Sequence, residues 1–454
     1  MALSPSPHPS PQSKSDVSDV DRSSIAKPGN TRVWWEEGVD CGSLGAKADS
    51  RVRLAAAWPW RRSARAEPSL GCVEVAARAE LGHLREWRNA FADLHKDHRY
   101  YELVEDTLAQ GFEYRYFVVR DAHGGVLAIQ PFLLLDQDLL AGAGPHIGAL
   151  AGRLRRLWPR LLRLRTLMIG CAAGEGHLDG GLSGDEQRRR ASARLLAEAI
   201  VRHARALHAP LIVLKEFPAK YRSALECFSA RGFTRVPSLP MTRLNIDYAS
   251  FEDYLQRALS RKTRRDLRLK FRAAEQAAPI ALAVGTDVTP DIDELYPLYL
   301  QVYDRSRMHF EKLTKAYFCE IGRRMPDKVR FFVWRQNGRA IAFSLCMIEG
   351  DAIYAEYLGL DYAVALDLHL YHYAVRDVVR WGMANGCKSF RSSGLNYDPK
   401  LHMRHRLDPL DLYVRHTSTL LNALLKRILP LLEPTRRDKT LRKFANFAEI
   451  WGRP

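Results

Sequence analysis

The sequence predicts a mixed α/β protein in which one domain occurs twice. Residues 352–394 read as strand, polar turn, long helix and strand, which is typical of a right-handed crossover between parallel strands. Turn signals at 121–125 and 336–338 each separate two segments rich in β-branched and aromatic residues, so each predicts a hairpin. Both halves place a hairpin, a strand, a polar turn, a long helix and further strands in the same order, which indicates a tandem duplication.

Length and composition limit the classes of protein that fit. The 454 residues are enough for two domains with their own cores. A net charge of +17 favours polyanionic partners, namely nucleic acid, an anionic membrane or acidic small molecules. The alternative is a soluble protein that simply uses many arginines. The seven cysteines include no CxxC pair, which favours a reducing, cytoplasmic location over a disulfide framework.

Changes in composition divide the chain into segments. Residues 1–69 are rich in Ser, Pro and Asp and are predicted to be a disordered N-terminal tail. The first domain is expected over 70–248 and the second over 249–416. Residues 417–454 form a basic helical extension, which Pro430 and Pro434 interrupt.

The elements of the first half follow from periodicity and turn residues. A glycine-rich segment, CAAGEGHLDGG, separates the third of its strands from a long helix. In order, the half contains helices over 80–90 and 100–110, strands over 114–120, 126–133 and 164–169, a helix over 185–207, a strand over 211–217, a helix over 221–230, and a strand ending near Ile246.

The second half opens with a long basic helix. Ser250 is its expected N-cap, and Asp253 completes a pattern like a capping box. Asn385 and Gly386 end the long helix of the crossover unit, because both tolerate the left-handed conformation. The other elements are a strand over 280–284, helices over 291–305 and 313–324, strands over 329–335, 340–348 and 352–358, a helix over 366–383, and strands over 388–391 and 411–416.

Several stretches carry a family resemblance. They are IGCAAGEGHLDG, EFPAKYRSALECFSARGF, SFEDYLQRALSRKTRRDLRLKFR and the pair YLGLDYAVALDLHLYHYAVRDVVRWGMANG and FRSSGLNYDPKLHMRHRLDPLDLYVR. In this order they resemble the tandem GNAT-fold proteins, both the acetyltransferase-like group of cellulose and exopolysaccharide synthesis and the Fem-type peptidoglycan aminoacyltransferases. The resemblance implies an α/β fold with two tandem GNAT-like domains.

The resemblance also implies a function. The expected activity is transfer of an acyl group from acyl-CoA, for example acetyl-CoA, to an amine or hydroxyl of a cell-envelope or polysaccharide precursor. One alternative is Fem-type transfer from aminoacyl-tRNA, and another is a degenerate scaffold without activity. Standard GNAT enzymes carry a glycine-rich pyrophosphate loop at the position where this second half has the sequence LDYAVALDLH. Binding of coenzyme A by the second half is therefore in doubt. The first half has Gly170, Gly174 and Gly176, but Glu175 and Asp179 would repel phosphate.

Three residues are the candidates for catalysis. Glu356 lies on the strand before the polar turn, and an apolar setting is expected to raise its pKa into a useful range. His309 is expected on a loop after a helix, at the position where members of the family recognise the acceptor. Tyr397 could donate a proton to a leaving thiolate. The alternative for Glu356 is an exposed carboxylate on a strand, that for His309 is a solvated connecting loop, and that for Tyr397 is a simple turn.

Cofactor binding is expected at the strand ends and the helix N-terminus, where free N–H groups and the helix dipole attract phosphate. Capping is the alternative for Asp367, and a turn is the alternative for Asn396. No metal site is predicted, because the pairs His369/His372 and His402/His405 lack partners at matching spacing. The expected cofactor-binding residues are Leu358, Gly359, Ala365, Leu366, Asp367, Asn396 and Lys400.

Two basic segments suggest macromolecular partners. The run over 261–272 could bind a tRNA backbone or anionic lipid, or it could be a solvated helix face. The C-terminal extension contains Leu420, Leu424 and Ile428 at helical spacing. It could lie on an anionic membrane as a peripheral contact, or pack on its own domain.

Overall fold

Two seven-stranded mixed sheets organise the chain. The computed structural model describes residues 71–138, 163–181, 184–306 and 310–452. All of them belong to one compact unit. The expected tail over 1–69 and the catalytic candidate His309 lie outside the described residues.

The first sheet is built mainly by the first half of the chain. Its strands are antiparallel except for β4 and β5, which are parallel. In spatial order they are β1 (Gly71–Ala76), β2 (Glu113–Asp121), β3 (Val126–Asp138), β4 (Arg163–Ile169), β5 (Leu211–Pro218), β14 (Leu410–His416) and β6 (Thr234–Pro237).

The second sheet repeats this plan with the second half of the chain. Its one parallel pair is β11 with β12, which the crossover helix connects, as the sequence predicts. In spatial order its strands are β13 (Arg406–Asp408), β7 (Met241–Asn245), β12 (Ser389–Ser392), β11 (Ala352–Leu360), β10 (Arg339–Glu349), β9 (Val329–Gln336) and β8 (Ile280–Gly285).

The two halves exchange strands. β14, from the end of the chain, lies between β5 and β6 in the first sheet and is antiparallel to both. β7, from the end of the first half, lies between β12 and β13 in the second sheet. Each sheet is therefore complete only when both halves are folded. The boundaries 70–248 and 249–416 stay a prediction about the chain, but the sheets do not divide at them.

Both predicted hairpins are present. β2 and β3 pair across Asp121, whose side chain accepts hydrogen bonds from the N–H groups of His123 and Gly125 at 2.8 and 2.9 Å. β9 and β10 pair across Asn337 and Gly338, with φ angles of 52° and 79°. Two successive positive φ angles are the signature of a type I′ turn, and an Asn-Gly pair adopts them at little cost.

The helices follow the sequence pattern with four corrections. The helix expected over 80–90 is α-helical only over 85–88. The C-terminal extension is α-helical only over 419–432, and Pro430 lies inside that helix instead of interrupting it. The basic helix is divided at Leu259, since Ser260 accepts a hydrogen bond from the N–H of Thr263 at 3.2 Å and caps a second helix. The crossover helix starts four residues later than expected, because residues 361–369 form tight turns. The helices are α1 (Arg85–Arg88), α2 (His98–Thr107), α3 (Glu186–Ala206), α4 (Arg222–Ala230), α5 (Phe251–Ala258), α6 (Arg261–Gln276), α7 (Ile292–Arg305), α8 (Lys315–Arg324), α9 (Leu370–Ala384), α10 (Tyr397–His402) and α11 (Thr419–Leu432).

One hydrophobic core is shared by the two halves. It joins α2 to α8, where Tyr100 and Tyr317 are both fully buried and their hydroxyls are 2.8 Å apart. A buried aromatic pair of this kind stabilises a fold through burial and through its hydrogen bond. Together with the strand exchange, this core fixes the relative position of the two sheets.

Candidate active site

Glu356 lies where the two parallel strands of the second sheet separate. β11 pairs with β12 only from Ala352 to Ala355, so Glu356 is the first residue beyond that pairing. It is also the extra residue of a β-bulge, because Leu345 and Cys346 of β10 face Tyr357 and Ala355. A bulge turns a side chain away from the regular alternation of a strand. The sequence therefore places a carboxylate at a point where the sheet opens.

The side chain of Glu356 joins a buried cluster of charges from both halves of the chain. The Lys96 Nζ donates to Glu356 Oε2 at 2.9 Å and to Glu175 Oε2 at 2.7 Å. The His95 Nε2 is 3.2 Å from Glu356 Oε1, and its Nδ1 is 2.7 Å from Glu349 Oε2. The Lys96 side chain is 1% exposed and that of Glu356 is 8% exposed, so water screens these contacts weakly.

His95 and Lys96 are positioned by the turn that leads into α2. Asp97 caps this helix by accepting a hydrogen bond from the N–H of Arg99 at 3.0 Å. The ring of His95 stacks on Tyr354, with centroids 4.0 Å apart. The N–H of His95 also donates to Glu349 Oε2 at 3.0 Å. Capping and stacking therefore hold both side chains in place before any substrate is present.

Glu175 reaches the cluster through the glycine-rich loop that follows β4. Gly174 has a φ of 95°, and a Cβ there would lie 2.4 Å from Lys96 Nζ. A glycine is thus required for the loop to approach the ammonium group. His177, two residues later, contacts Glu175 Oε1 through its Nε2 at 3.1 Å. This loop, whose acidic residues were expected to repel phosphate, supplies a carboxylate to the buried cluster.

The cluster stabilises charged forms of its members. Burial opposes ionisation of Glu356, but the charges of Lys96 and His95 outweigh it, so the pKa of Glu356 is lowered. The same balance of burial against Lys96 lowers the pKa of Glu175. Burial opposes protonation of His95, but its hydrogen bonds to Glu349 and Glu356 raise its pKa. The expectation of a raised pKa for Glu356 is wrong, because its cationic partners come from about 260 residues away along the chain.

The three side chains His95, Glu175 and Glu356 also resemble a set of metal ligands. One donor atom of each lies within 4.8 Å of the others. Lys96 Nζ, however, already lies between the two carboxylates at hydrogen-bond distance from both. An ammonium group in this position supplies the positive charge that a divalent cation would supply. The residues therefore fit an internal lysine better than a metal ion.

Tyr397 and Lys400 have a different environment from that of Glu356. Tyr397 packs against the C-terminal segment, and its hydroxyl donates to the carbonyl of Pro240 at 2.8 Å. Lys400 Nζ donates to the carbonyls of Ser393 and Leu395 at 2.6 and 3.0 Å. Neither side chain contacts the charged cluster. Their roles in proton transfer and phosphate binding stay predictions, and each polar group already has a partner.

The other expected cofactor-binding residues lie along β11 and the following turns. Leu358 and Gly359 lie on β11, and a Cβ at Gly359 would lie 2.3 Å from the ring of Phe343. Leu366 and Asp367 are exposed, whereas Ala365 is buried. Asn396 precedes α10 with a φ of 47°.

The turns over 361–369 use their own N–H groups. The N–H groups of Val364 and Ala365 donate to the carbonyl of Asp361 at 3.1 and 2.8 Å. The N–H groups of Leu368 and Leu370 likewise donate to carbonyls within the segment. A phosphate cradle needs N–H groups that point outwards and lack partners. This segment therefore gives little support to pyrophosphate binding by the second half.

A second polar group lies next to Glu356. The hydroxyl of Tyr357 donates to Glu311 Oε1 at 3.0 Å. Burial raises the pKa of Glu311, although Lys215 and this hydrogen bond oppose the shift. Lys215 Nζ itself donates to the carbonyl of Gly174 at 2.7 Å. A carboxyl with a raised pKa is suited to proton transfer, and Glu311 follows the catalytic candidate His309 by two residues in the sequence.

The basic helix α6 borders an arginine-lined groove of about 330 Å³ between α5, α6 and α9. Arg268 and Arg376 in this groove are paired with Glu252 and Glu275. Within the described ranges, Arg272 and Arg380 form no ion pair. We call this surface the arginine groove; its lining includes Phe251, Glu252, Arg268, Phe271, Arg272, Glu275, Arg376 and Arg380.

Sequence comparison links this architecture to a family. Residues 182–401 match the model of the FemAB-like family, described as peptidoglycan biosynthesis/recognition. The match starts before α3 in the first half and ends in α10, so it includes the crossover helices α3 and α9 of both halves. Over this stretch, which is a little under half of its length, the chain is similar to the FemAB-like family. No curated protein matches the sequence significantly.

Three solved structures are similar to this chain at low sequence identity. FemX is 12% identical with a TM-score of 0.48, covering 78% of this chain and 100% of FemX. L-PGS from Bacillus licheniformis is 13% identical with a TM-score of 0.42, covering 72% of this chain and 90% of that one. A tandem GNAT protein from the clavulanic acid biosynthesis pathway is 13% identical with a TM-score of 0.39, covering 76% and 99%.

The residues that sequence reasoning missed are His95, Lys96 and Glu349. They lie in segments without a motif, and Lys96 is 260 residues away from Glu356 along the chain. The one available signal was the short run HKDH, in which two cations precede a helix cap. Only tertiary structure shows that these cations meet carboxylates of the other half.

Proposed function

We propose that the chain transfers an acyl group from a carrier to an amine or hydroxyl of a cell-envelope or polysaccharide precursor. The reacting groups would meet where β11 and β12 separate. The observation that supports this site is the position of Glu356, which lies on the bulge at this opening with an ionised carboxylate. The family match over 182–401 supports the class of acceptor.

The chemistry of Glu356 in this proposal is electrostatic. A carboxylate with a lowered pKa is a weak proton acceptor, but it is a stable negative charge in a setting that water barely reaches. It would attract the ammonium form of an amine acceptor and stabilise positive charge as the amine attacks. Proton removal would fall to a second group, and Glu311 beside Tyr357 has the raised pKa that this requires.

The test of this site is Glu356→Gln in an assay with a donor that the protein binds. Glutamine keeps the size of the side chain and an oxygen that accepts from Lys96, so the fold is retained. We expect kcat/KM to fall about 100-fold, as when one preorganised charge is removed from a reaction site. Glu294→Gln is the matched control, because this carboxylate also accepts close hydrogen bonds, from Arg335 and the N–H of Ala340. Equal turnover by Glu356→Gln and wild type would reject the site.

Aminoacyl-tRNA is the second candidate for the donor. It is favoured by the arginine groove and by the exposed Arg261, Lys262 and Arg265 on the same helix. α6 has 16 residues and is therefore about 24 Å long, enough to follow several phosphates of an RNA backbone. The N–H groups of Val364, Ala365 and Leu368, which are engaged within the protein, add to this preference, since they are not available to a phosphate of coenzyme A.

A donor screen separates the candidates. Thermal unfolding is measured with acetyl-CoA, with longer acyl-CoA species and with aminoacyl-tRNA, because a ligand that binds only the folded state raises Tm. A shift with tRNA should weaken with salt, and Arg272→Glu with Arg380→Glu should lower the salt dependence. A shift with acyl-CoA alone would support the first candidate. If no donor changes Tm, the chain is better explained as a non-catalytic scaffold.

A further inference from the structure

Helix α11 exposes a row of large aliphatic side chains. Their exposed fractions range from 39% to 80%, and they account for half of the exposed large hydrophobic side chains in the described residues. Contiguous exposed apolar surface on a folded protein usually marks a contact site. The row, which we call the leucine face, consists of Leu420, Leu421, Leu424, Ile428, Leu431 and Leu432.

The leucine face is one continuous side of the helix. At about 100° per residue, its six members fall within an arc of about 120°. The neighbouring arc holds the helix on the protein: Leu425 and Leu429 pack against the shared core, and Asn422 is buried. Asn422 accepts a hydrogen bond from the N–H of His416 at 3.0 Å and donates to the carbonyl of Gly232 at 2.9 Å. The helix is therefore anchored on one side while its leucine face points away from the core.

The surroundings of the leucine face are basic. The segment Thr419–Leu432 contains no acidic residue, and Lys426 and Arg427 are exposed on its third side. At the N-terminal end, Arg205 donates to the carbonyl of Thr417 at 2.7 Å. Arg415 donates to the carbonyl of Arg231. Burial, and then the charges of Arg205 and Arg231, lower the pKa of Arg415, so these three groups are close enough to repel one another.

We propose that α11 lies on an anionic lipid surface, with its leucine face in the interface and the flanking arginines and lysines against the headgroups. This arrangement is typical of interfacial amphipathic helices, whose apolar side enters the headgroup region by about 5–10 Å. Basic side chains next to the apolar side add attraction to acidic lipids. A basic rim and a helix without acidic residues suit an anionic bilayer better than a second copy of a chain with a net charge of +17.

This contact is peripheral. No helix in the described part of the chain is long and apolar enough to cross a membrane. α11 has 14 residues, about 21 Å, which is shorter than the hydrocarbon core of a bilayer. The proposal does not depend on the activity proposed above.

The test is sedimentation of the full-length protein with vesicles at 0.1 M salt. One set contains phosphatidylcholine with about 30% phosphatidylglycerol, and the other contains phosphatidylcholine alone. We expect wild type to bind the anionic set at least tenfold more tightly, because anionic lipid attracts basic side chains near the surface. Leu424→Gln with Leu431→Gln should reduce binding to the anionic set more than tenfold, since two exposed leucines no longer enter the interface.

Two comparisons keep the test specific. Leu282→Gln with Val284→Gln changes exposed apolar residues on β8 and should leave vesicle binding unchanged. Lys426→Gln with Arg427→Gln should weaken binding to anionic vesicles by about tenfold. Failure of wild type to bind, or equal binding to both vesicle sets, would overturn the proposal. It would also be overturned if the leucine variant converted a dimer to a monomer in light scattering without changing vesicle binding.

Discussion

Lys96 holds two buried carboxylates from different halves of the chain, so its removal tests the charged cluster directly. Lys96→Met keeps most of the volume of the side chain but leaves Glu175 and Glu356 facing each other without their ammonium partner. Removing one member of a buried ionic group typically costs about 3–5 kcal/mol, because the remaining charges stay desolvated. We expect a loss of this size in the free energy of unfolding at pH 7.5.

The loss should depend on pH with a definite sign. In wild type the pKa values of Glu175 and Glu356 are lowered, so their stabilisation is present above about pH 4.3 and is lost as the pH falls below that. Without Lys96, burial and mutual repulsion raise both pKa values, although the neighbouring His95 opposes this. The variant then binds protons on folding and becomes more stable as the pH falls. The difference from wild type should therefore be smaller at pH 5.5 than at pH 7.5.

Urea unfolding followed by tryptophan fluorescence at both pH values measures this difference. Lys220→Met is the matched control: it removes the same charge from an exposed lysine and should change stability by no more than about 0.5 kcal/mol. Adding Glu175→Gln and Glu356→Gln to Lys96→Met should restore most of the stability, since no unpaired charge then remains. The reasoning fails if Lys96→Met matches wild type at pH 7.5, or if its deficit is the same at pH 5.5.

Three further changes test other parts of the structure. Burial lowers the pKa of Lys400 to about 7, so wild type should gain stability between pH 7 and 10 as this lysine loses its proton, and Lys400→Met should abolish that gain in Tm. Gly359→Ala should lower the free energy of unfolding by about 1–3 kcal/mol in urea, because the new methyl group meets Phe343. Arg222→Leu should cost about 3–5 kcal/mol in the same assay by leaving Asp411 buried with only the more distant Arg235, 4.0 Å away, as a cationic partner.

The sequence predicted those parts of the fold that depend on neighbouring residues. The turn at Asn337 and Gly338 needs only two residues with positive φ, and the cap at Ser250 needs only a hydroxyl three residues before an N–H group. The parallel pairing of β11 with β12 follows from the crossover helix between them. Each of these signals lies within one short stretch of chain.

The exchange of β7 and β14 between the two sheets could not be predicted from short stretches of sequence. Each strand is short, and its alternation fits an edge or a central position in either sheet. The choice depends on partners far along the chain, such as the pairing of Leu407 with Thr242 and of Val414 with Val213. The repeated order of elements indicated two sheets, but it gave no information about which half completes each sheet.

The site was predicted in part for the same reason. Glu356 stood out because it is a carboxylate on a strand that ends in a polar turn. Its expected proton affinity was wrong because pKa depends on all charges within a few ångströms, and Lys96 and His95 come from the other half of the chain. Glu175 was interpreted as an obstacle to phosphate, and its position beside Lys96 explains the acidic residue in a glycine-rich loop.

The charged cluster places a limit on the chemistry that Glu356 can perform. A group that binds the two halves together through Lys96 and His95 must stay ionised, and a carboxylate that stays ionised removes protons poorly near neutral pH. Raising its pKa enough to make it a base would require the loss of Lys96, and with it the ion pair that Lys96 forms between the halves. Glu356 therefore cannot both join the halves and act as a general base. It can, however, both join the halves and attract a cationic acceptor. On this argument Lys96→Met should impair activity, because Glu356 is then misplaced. Lys96→Arg keeps a cation at this position, so relative to Lys96→Met it should recover a larger share of the wild-type activity than of the wild-type stability.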